Sequence, residues 1–210
     1  MESTGMTGVC VGLKPQNIED ITAIIALYRP GPMDSIPRFI ASKQNPQMIR
    51  YRHPSLEPIL SITYGCIVYQ EQVIEIFRRL GGYSLGQADM VRRAISKKKA
   101  EQIKREKEAF IHGDAERGIS GCVNNGIPEE TAEAIYQEIY DFANYAFNKA
   151  HAVAYAVVAY QTAYFKCHYT KEYMAALLTS VLDNSDKVSE YIAECRDCGI
   201  KLLPPDINRS

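Results

Sequence analysis

Lysine and arginine fill half of the positions of RRAISKKKAEQIKR, Arg92 to Arg105, and only Glu101 opposes them. On a helix Arg93 and Lys97 share a face, as do Arg92 and Lys99. About two turns then turn several donors toward one polyanion, a triphosphate or a nucleic-acid backbone. The same charges also suit a solvated helix face, with Asp89 reaching Arg92 or Arg93 and Glu101 reaching Arg105. The segment alone leaves both readings open. A second group stands in FNKAHAVAY, where Lys149 and His151 begin an apolar helix. Unpaired backbone N–H groups and the helix dipole favour an anion there. The competing reading has Asn148 capping the helix and His151 packed.

Other chemistry has less support. There is no GxxxxGK[ST] phosphate loop and no motif that marks a nucleophile. Cys195 and Cys198 form one CxxC without the second pair that a structural zinc needs. Glu71, Asp89 and Asp206 stand in unrelated contexts and no DxD occurs, so the chain offers no Mg2+ site of its own. Neither a metal ligand nor a catalytic residue is expected within it.

These residues must be positioned by a chain of 210 residues with 24 Lys and Arg against 25 Asp and Glu, a formal net charge of -1. Coating nucleic acid by bulk attraction is disfavoured at that balance, so anion binding has to come from placement of charge. A hydrophobic content of 46% allows one large core or two small ones. Six scattered cysteines and no recognisable signal peptide suit a reduced, cytoplasmic protein. The longest apolar run, AVAYAVVAYQTAYF, is interrupted by Gln161 and Thr162 and is shorter than the roughly 20 residues of a membrane span. It reads as a buried helix.

The pattern is that of a mainly α protein with one or two short strands and Pro/Gly-rich connectors. Gly5 and Gly8 suit turns. Asn17 caps a helix that must stop at YRPGPM, because Pro30 and Pro32 remove donors and push Arg29 and Gly31 toward extended backbone. A short helix spans about Ile36 to Ser42, CIVY is a candidate strand, and Gln70 to Leu80 is a helix ended by Gly81 and Gly82. Ser84 caps the next, which sends Met90, Val91 and Ile95 to a core and Arg92, Arg93 and Lys97 away from it. Pro128 opens a helix with Ile135, Ile139 and Phe142 on one face. Two helices part near Tyr169, and a last one ends at Gly199.

Taken in order, MES.GM, ALYRPGPM, YGCIVYQEQV, GYSLGQADMVRRAISKKK, FNKAHAVAYAVVAYQTAYFKCHYTKEYMAALLTS and GIKLLPPDIN resemble the alpha subunits of bacterial DNA polymerase III, the C-family replicative polymerases. The likeness covers essentially the whole chain and is greater to the form with a separate proofreading subunit. It implies a fingers domain, with residues 1–60 as its N-terminal part carrying the RPGP turn and 61–210 as its helical core. It further implies that Arg92 and Arg93 grip the incoming dNTP triphosphate, that Lys97 adds to them, and that Lys149, His151 and Arg29 contribute phosphate or base contacts. Lys98, Lys99 and Lys104 are implied to face DNA. Mg2+ and its catalytic aspartates belong to a palm outside this chain, so the chain alone is expected to be inactive. Implied partners are dNTP, primer-template DNA, the palm and thumb, and, through other parts, the sliding clamp and proofreading subunit. A cytoplasmic, nucleoid-associated site and no membrane partner complete the expectation. The alternative is a non-catalytic helical module for nucleic-acid binding or protein interaction.

Overall fold

The computed structural model describes residues 3–96, 100–143, 145–204 and 207. Lys97, Lys98 and Lys99 lie outside the described residues. The protein is mainly α. Its α-helices are α1 (Thr4–Leu13), α2 (Ile18–Leu27), α3 (Ile36–Gln44), α4 (Glu57–Leu60), α5 (Gln70–Gly81), α6 (Leu85–Ser96), α7 (Ala100–His112), α8 (Glu129–Ala143), α9 (Lys149–His168), α10 (Thr170–Ser180) and α11 (Ser185–Asp197). Several start as the sequence predicts. Asn17 Oδ1 accepts from Asp20 N at 2.9 Å. Ser84 and Gln87 exchange side-chain and backbone bonds at the start of α6, an arrangement that satisfies two otherwise unpaired donors. The chain divides into two compact units, Met1–Val157 and Val158–Ser210, with the boundary inside α9.

The first unit contains two hydrophobic clusters. In one, Val73, Ile76, Phe77 and Leu80 of α5 pack with Val91 and Ile95 of α6, Phe110 of α7, and Ile135 and Ile139 of α8, all at most 2% exposed. Phe77 meets Tyr83 and Phe110 edge-on, at centroid distances of 5.3 and 5.0 Å. In the other, Leu13, Ile24, Leu27 and Phe39 enclose Val68, Tyr69 and Ala152. Each such side chain contributes roughly 1.5–3 kcal/mol by burial, so the stripe on α5 fixes where α6 and α8 lie. The candidate strand in CIVY amounts to a single parallel bridge between Tyr69 and Phe147. Gln70 N donates to Phe147 O at 2.9 Å, and Phe147 N donates to Val68 O. In the second unit, Met174, Tyr191 and Cys195 form a small core joining α10 to α11.

Four local expectations are corrected. Gly5 and Gly8 lie inside α1, which Ser3 caps, rather than in turns. A side chain at Gly5 would collide with the Tyr28 hydroxyl, so close helix packing explains that glycine. Gly31 takes a φ of 99° instead of extended backbone. A Cβ there would also strike the Tyr145 ring. Met90 is 60% exposed. At 100° per residue the buried stripe of α6 runs through Ala88, Ile95, Val91 and Ala94, and Met90 falls about 40° beyond its Ala94 edge. Finally, α9 is not a buried helix. Only Ala152 and Ala156, four residues apart, are buried, while Tyr155, Val158, Tyr160 and Phe165 are more than half exposed. A helix apolar all round needs cover on every side, and two small residues mark one covered side alone.

Candidate functional site

The expected phosphate ligands among the described residues fall into two arrangements within the first unit. On α6, Asp89 lies one turn before both arginines. Its Oδ1 accepts from Arg92 Nε at 3.1 Å and from the terminal nitrogen at 2.7 Å, and its Oδ2 lies 2.6 Å from Arg93. One carboxylate therefore holds two guanidinium groups on the same side of the helix. Those hydrogen bonds, Arg92 first, hold the Asp89 carboxyl below the usual carboxylate range. The Arg93 side chain is 65% exposed and that of Arg92 only 16%. This is the pairing that the solvated-face reading anticipated for Asp89. Its Arg105 counterpart differs, since Arg105 lies 3.5 Å from Asp114. Lys104 is exposed on α7.

Arg29, Lys149 and His151 come together around the Tyr69–Phe147 bridge. The Arg29 guanidinium lies over the Phe147 ring, 4.5 Å from its centre. Its Nε donates to Ala26 O at 3.0 Å and its terminal nitrogen to the Tyr145 carbonyl. Removal from water pushes the Arg29 pKa below its ordinary value. His151 stacks obliquely between Phe147 and Tyr155, at 5.5 and 4.7 Å. Lys149 Nζ is 3.2 and 3.1 Å from the two Glu19 oxygens and 5.5 Å from the centre of the Tyr69 ring. Burial, and then the charges of Glu19 and Glu71, push the Tyr69 hydroxyl pKa up. Buried Gln72 fixes this region by accepting from Val68 N and Tyr69 N and donating to Thr63.

The start of α9 already carries a carboxylate. Glu71 accepts from Lys149 N at 3.1 Å through both oxygens and from the Asn148 side chain at 3.2 Å. Asn148 Oδ1 accepts from His151 N at 2.9 Å, which is the capping role. Sequence reasoning missed Glu71, because its partner lies 78 positions away. It also passed over Arg38, Arg50 and Arg52, which line two adjoining cavities beside α8. The signal was present as three arginines within fifteen residues, split between a short helix and a Pro-rich connector.

The family model of the bacterial DNA polymerase III alpha subunit finger domain matches residues 1–118, which include Arg29, Arg92 and Arg93. The chain belongs to that family. This finger-domain chain is 48% identical over 210 residues to DNA polymerase III subunit alpha of Halalkalibacterium halodurans and, over the same length, to that of Bacillus subtilis. It is 47% identical over 215 residues to that of Thermus aquaticus. All of this chain is covered in each case, against 18%, 18% and 17% of the relatives, so it spans less than a fifth of their length. Lys149 and His151 lie beyond the finger-domain match but inside the aligned whole chain.

Proposed function

We propose that this finger-domain chain serves template-directed DNA synthesis as the part of a polymerase III alpha subunit that receives the incoming dNTP. Arg92 and Arg93 bind its triphosphate. The supporting observation is the Asp89 bridge, which gathers two permanently charged, planar guanidinium groups on one side of α6 with Arg93 well exposed. Such forks hold two phosphate oxygens each and stay charged at any working pH. Lys97 extends the positive field, Lys98, Lys99 and Lys104 face primer-template DNA, and Arg29, Lys149 and His151 frame the pocket for the nascent base pair. Lys149 would exchange Glu19 for phosphate to take a direct part.

No cluster of three His, Cys, Asp or Glu side chains suited to a metal occurs among the described residues. Mg2+ is assigned to the palm of the longer polypeptide. The palm, thumb, clamp and proofreading subunit are assigned to the longer polypeptide and its assembly, in a cytoplasmic, nucleoid-associated setting. In a polymerase that contains this chain, loss of Arg92 or Arg93 is expected to cost about 2–4 kcal/mol of transition-state stabilisation.

The test is a titration of the chain with dATP and, separately, with primer-template DNA at about 50 and about 200 mM salt, repeated with R92A/R93A. A fall of about tenfold or more in dATP affinity in the double variant supports the reading. Unchanged dATP affinity overturns it. DNA binding that is steeply salt-dependent and indifferent to dNTP would favour a non-catalytic nucleic-acid-binding module.

A further inference from the structure

We infer that the two adjoining cavities bordered by α3, α8 and the connector before α4 form a nucleotide-phosphate site distinct from Arg92 and Arg93. The smaller cavity, about 250 Å³, is lined by Arg38, Arg50 and Arg52 with Glu138. Two of the three guanidinium groups share one carboxylate. Arg52 Nε lies 2.7 Å from Glu138 Oε2, and Arg38 is 3.7 Å from Oε1. Arg50 donates to the uncharged carbonyls of Gln47 and Ile49. Each guanidinium carries five donors in a fork, so these contacts leave donors to spare. The side chains of Arg38 and Arg52 are 58% and 51% exposed and can be reached from solvent. Like charges gathered around one space repel each other until an anion joins them, and a phosphate matches the fork geometry.

The larger cavity, about 500 Å³, shares Arg38, Arg52 and Glu138 and adds Asp141, which balances the remaining charge. Its other walls include Pro32, Ile67, Phe142 and Tyr145. A ligand that fills both spaces is strongly anionic at one end and flat and nearly neutral at the other. A nucleoside phosphate has that form, and the larger volume lies in the range of small-molecule sites. Two aromatic side chains offer stacking for a base. Arg38 and Glu138 stand on α3 and α8, and Arg50 and Arg52 on the connector before α4, so helices supply part of the phosphate end and the connector the rest.

Calorimetric titration of the chain with 2′-deoxyadenosine 5′-monophosphate tests the site. Deoxyadenosine and a 12-residue thymidine strand without a terminal phosphate serve as further probes. The monophosphate should bind and deoxyadenosine should not. R38Q/R50Q should weaken the monophosphate by about tenfold or more, R92A/R93A should leave it unchanged, and E138Q should tighten it several-fold. Far-UV circular dichroism establishes that R38Q/R50Q is folded, and the gain in E138Q stands independently of that variant. The site is overturned if the monophosphate does not bind, if R38Q/R50Q binds it as wild type does, or if only R92A/R93A loses it. Binding of the thymidine strand alone would also overturn it, since a strand backbone would then be the ligand.

Discussion

The two basic groups of the first unit differ in what already surrounds their charge. Arg93 shares Asp89 with Arg92 in a partly solvated pair on one helix. Arg29 is desolvated, lies on a ring face and is tied to backbone carbonyls, while Lys149 is set between Glu19 and Tyr69. Exposed ion pairs contribute about 0.2–1 kcal/mol, so a multiply charged phosphate displaces one at small cost. The acidic pairs themselves do not differ in that respect, since the Lys149 and Glu19 side chains are 29% and 35% exposed and those of Arg92 and Asp89 16% and 29%. The difference lies in Arg93, 65% exposed with a carboxylate it can exchange, and Arg29, held on a ring face and by backbone carbonyls with no carboxylate to exchange. Arg93 is thus suited to exchange, and Arg29 is suited to framing a site.

The strongest way to break that comparison is to undermine the framing region. Asp20 on α2 accepts from Gln16 N at 2.8 Å and from the Tyr64 hydroxyl at 2.7 Å, and its ion pair with Lys43 is 2.8 Å long. The two side chains of that pair are 2% and 8% exposed. Asp20→Ala leaves a buried ammonium without its carboxylate and should cost about 3–5 kcal/mol. Urea denaturation measures this, and a loss below about 1 kcal/mol would show the framing region to be as loose as the Asp89 pair. Burial of Asp20 opposes its charge, but hydrogen bonds from Gln16, Lys43 and Tyr64 outweigh it and hold the pKa low. Its contribution is therefore present above the unfolded-state pKa of about 3.9 and lost as pH falls through the native value. Asp20→Asn should remove that part of the acid dependence.

Local chemistry was the legible part of the fold. Asn17, Ser84 and Pro128 mark helix starts because a cap needs only its neighbours. The stripe of Val73 and Phe77 was readable because a regular 3.6-residue period survives in one dimension. Met90 was misplaced by a small angular error, and Gly5 by assigning to a turn what belongs to close packing against Tyr28. The solvent-facing Tyr155 and Tyr160 were unreadable for a different reason: an apolar helix does not say what covers it. At the candidate sites, the Asp89 pairing was visible at a spacing of three and four residues. Glu71 over the start of α9 and Glu138 between Arg38 and Arg52 were not, because long-range pairing carries no local signal.

Glu71→Ala sharpens the comparison from the framing side. It removes the acceptor for Lys149 N and for the Asn148 side chain, leaving the first turn of α9 with a donor unsatisfied. The expected loss is about 1–2 kcal/mol, the scale of a helix cap, read from the shift in urea midpoint at constant slope. A change of no more than a few tenths would mean that water replaces Glu71 freely and that this helix start is open to external anions.

The smallest effect on stability, and the most direct test of exchange, is expected from Asp89→Asn. The asparagine oxygen still accepts from Arg92, while its amide nitrogen is a donor and cannot accept from Arg93, so the Arg92 bond is retained and the Arg93 bond is lost with the negative charge. Two partly solvated pairs within one helix should contribute less than about 1 kcal/mol together. The hydrogen bonds that lower the Asp89 pKa make this contribution one that persists above the unfolded-state pKa and disappears as pH falls through the native value. Binding should move the other way. With the competing carboxylate neutralised, dATP affinity at low salt should rise by about three- to tenfold, and the gain should shrink as salt screens the exposed charges. An affinity that falls instead would make Asp89 an orienting partner that stays in place when the triphosphate binds. Arg92 and Arg93 would then resemble Arg29, and the distinction between an exchangeable pair and a fixed frame would fail.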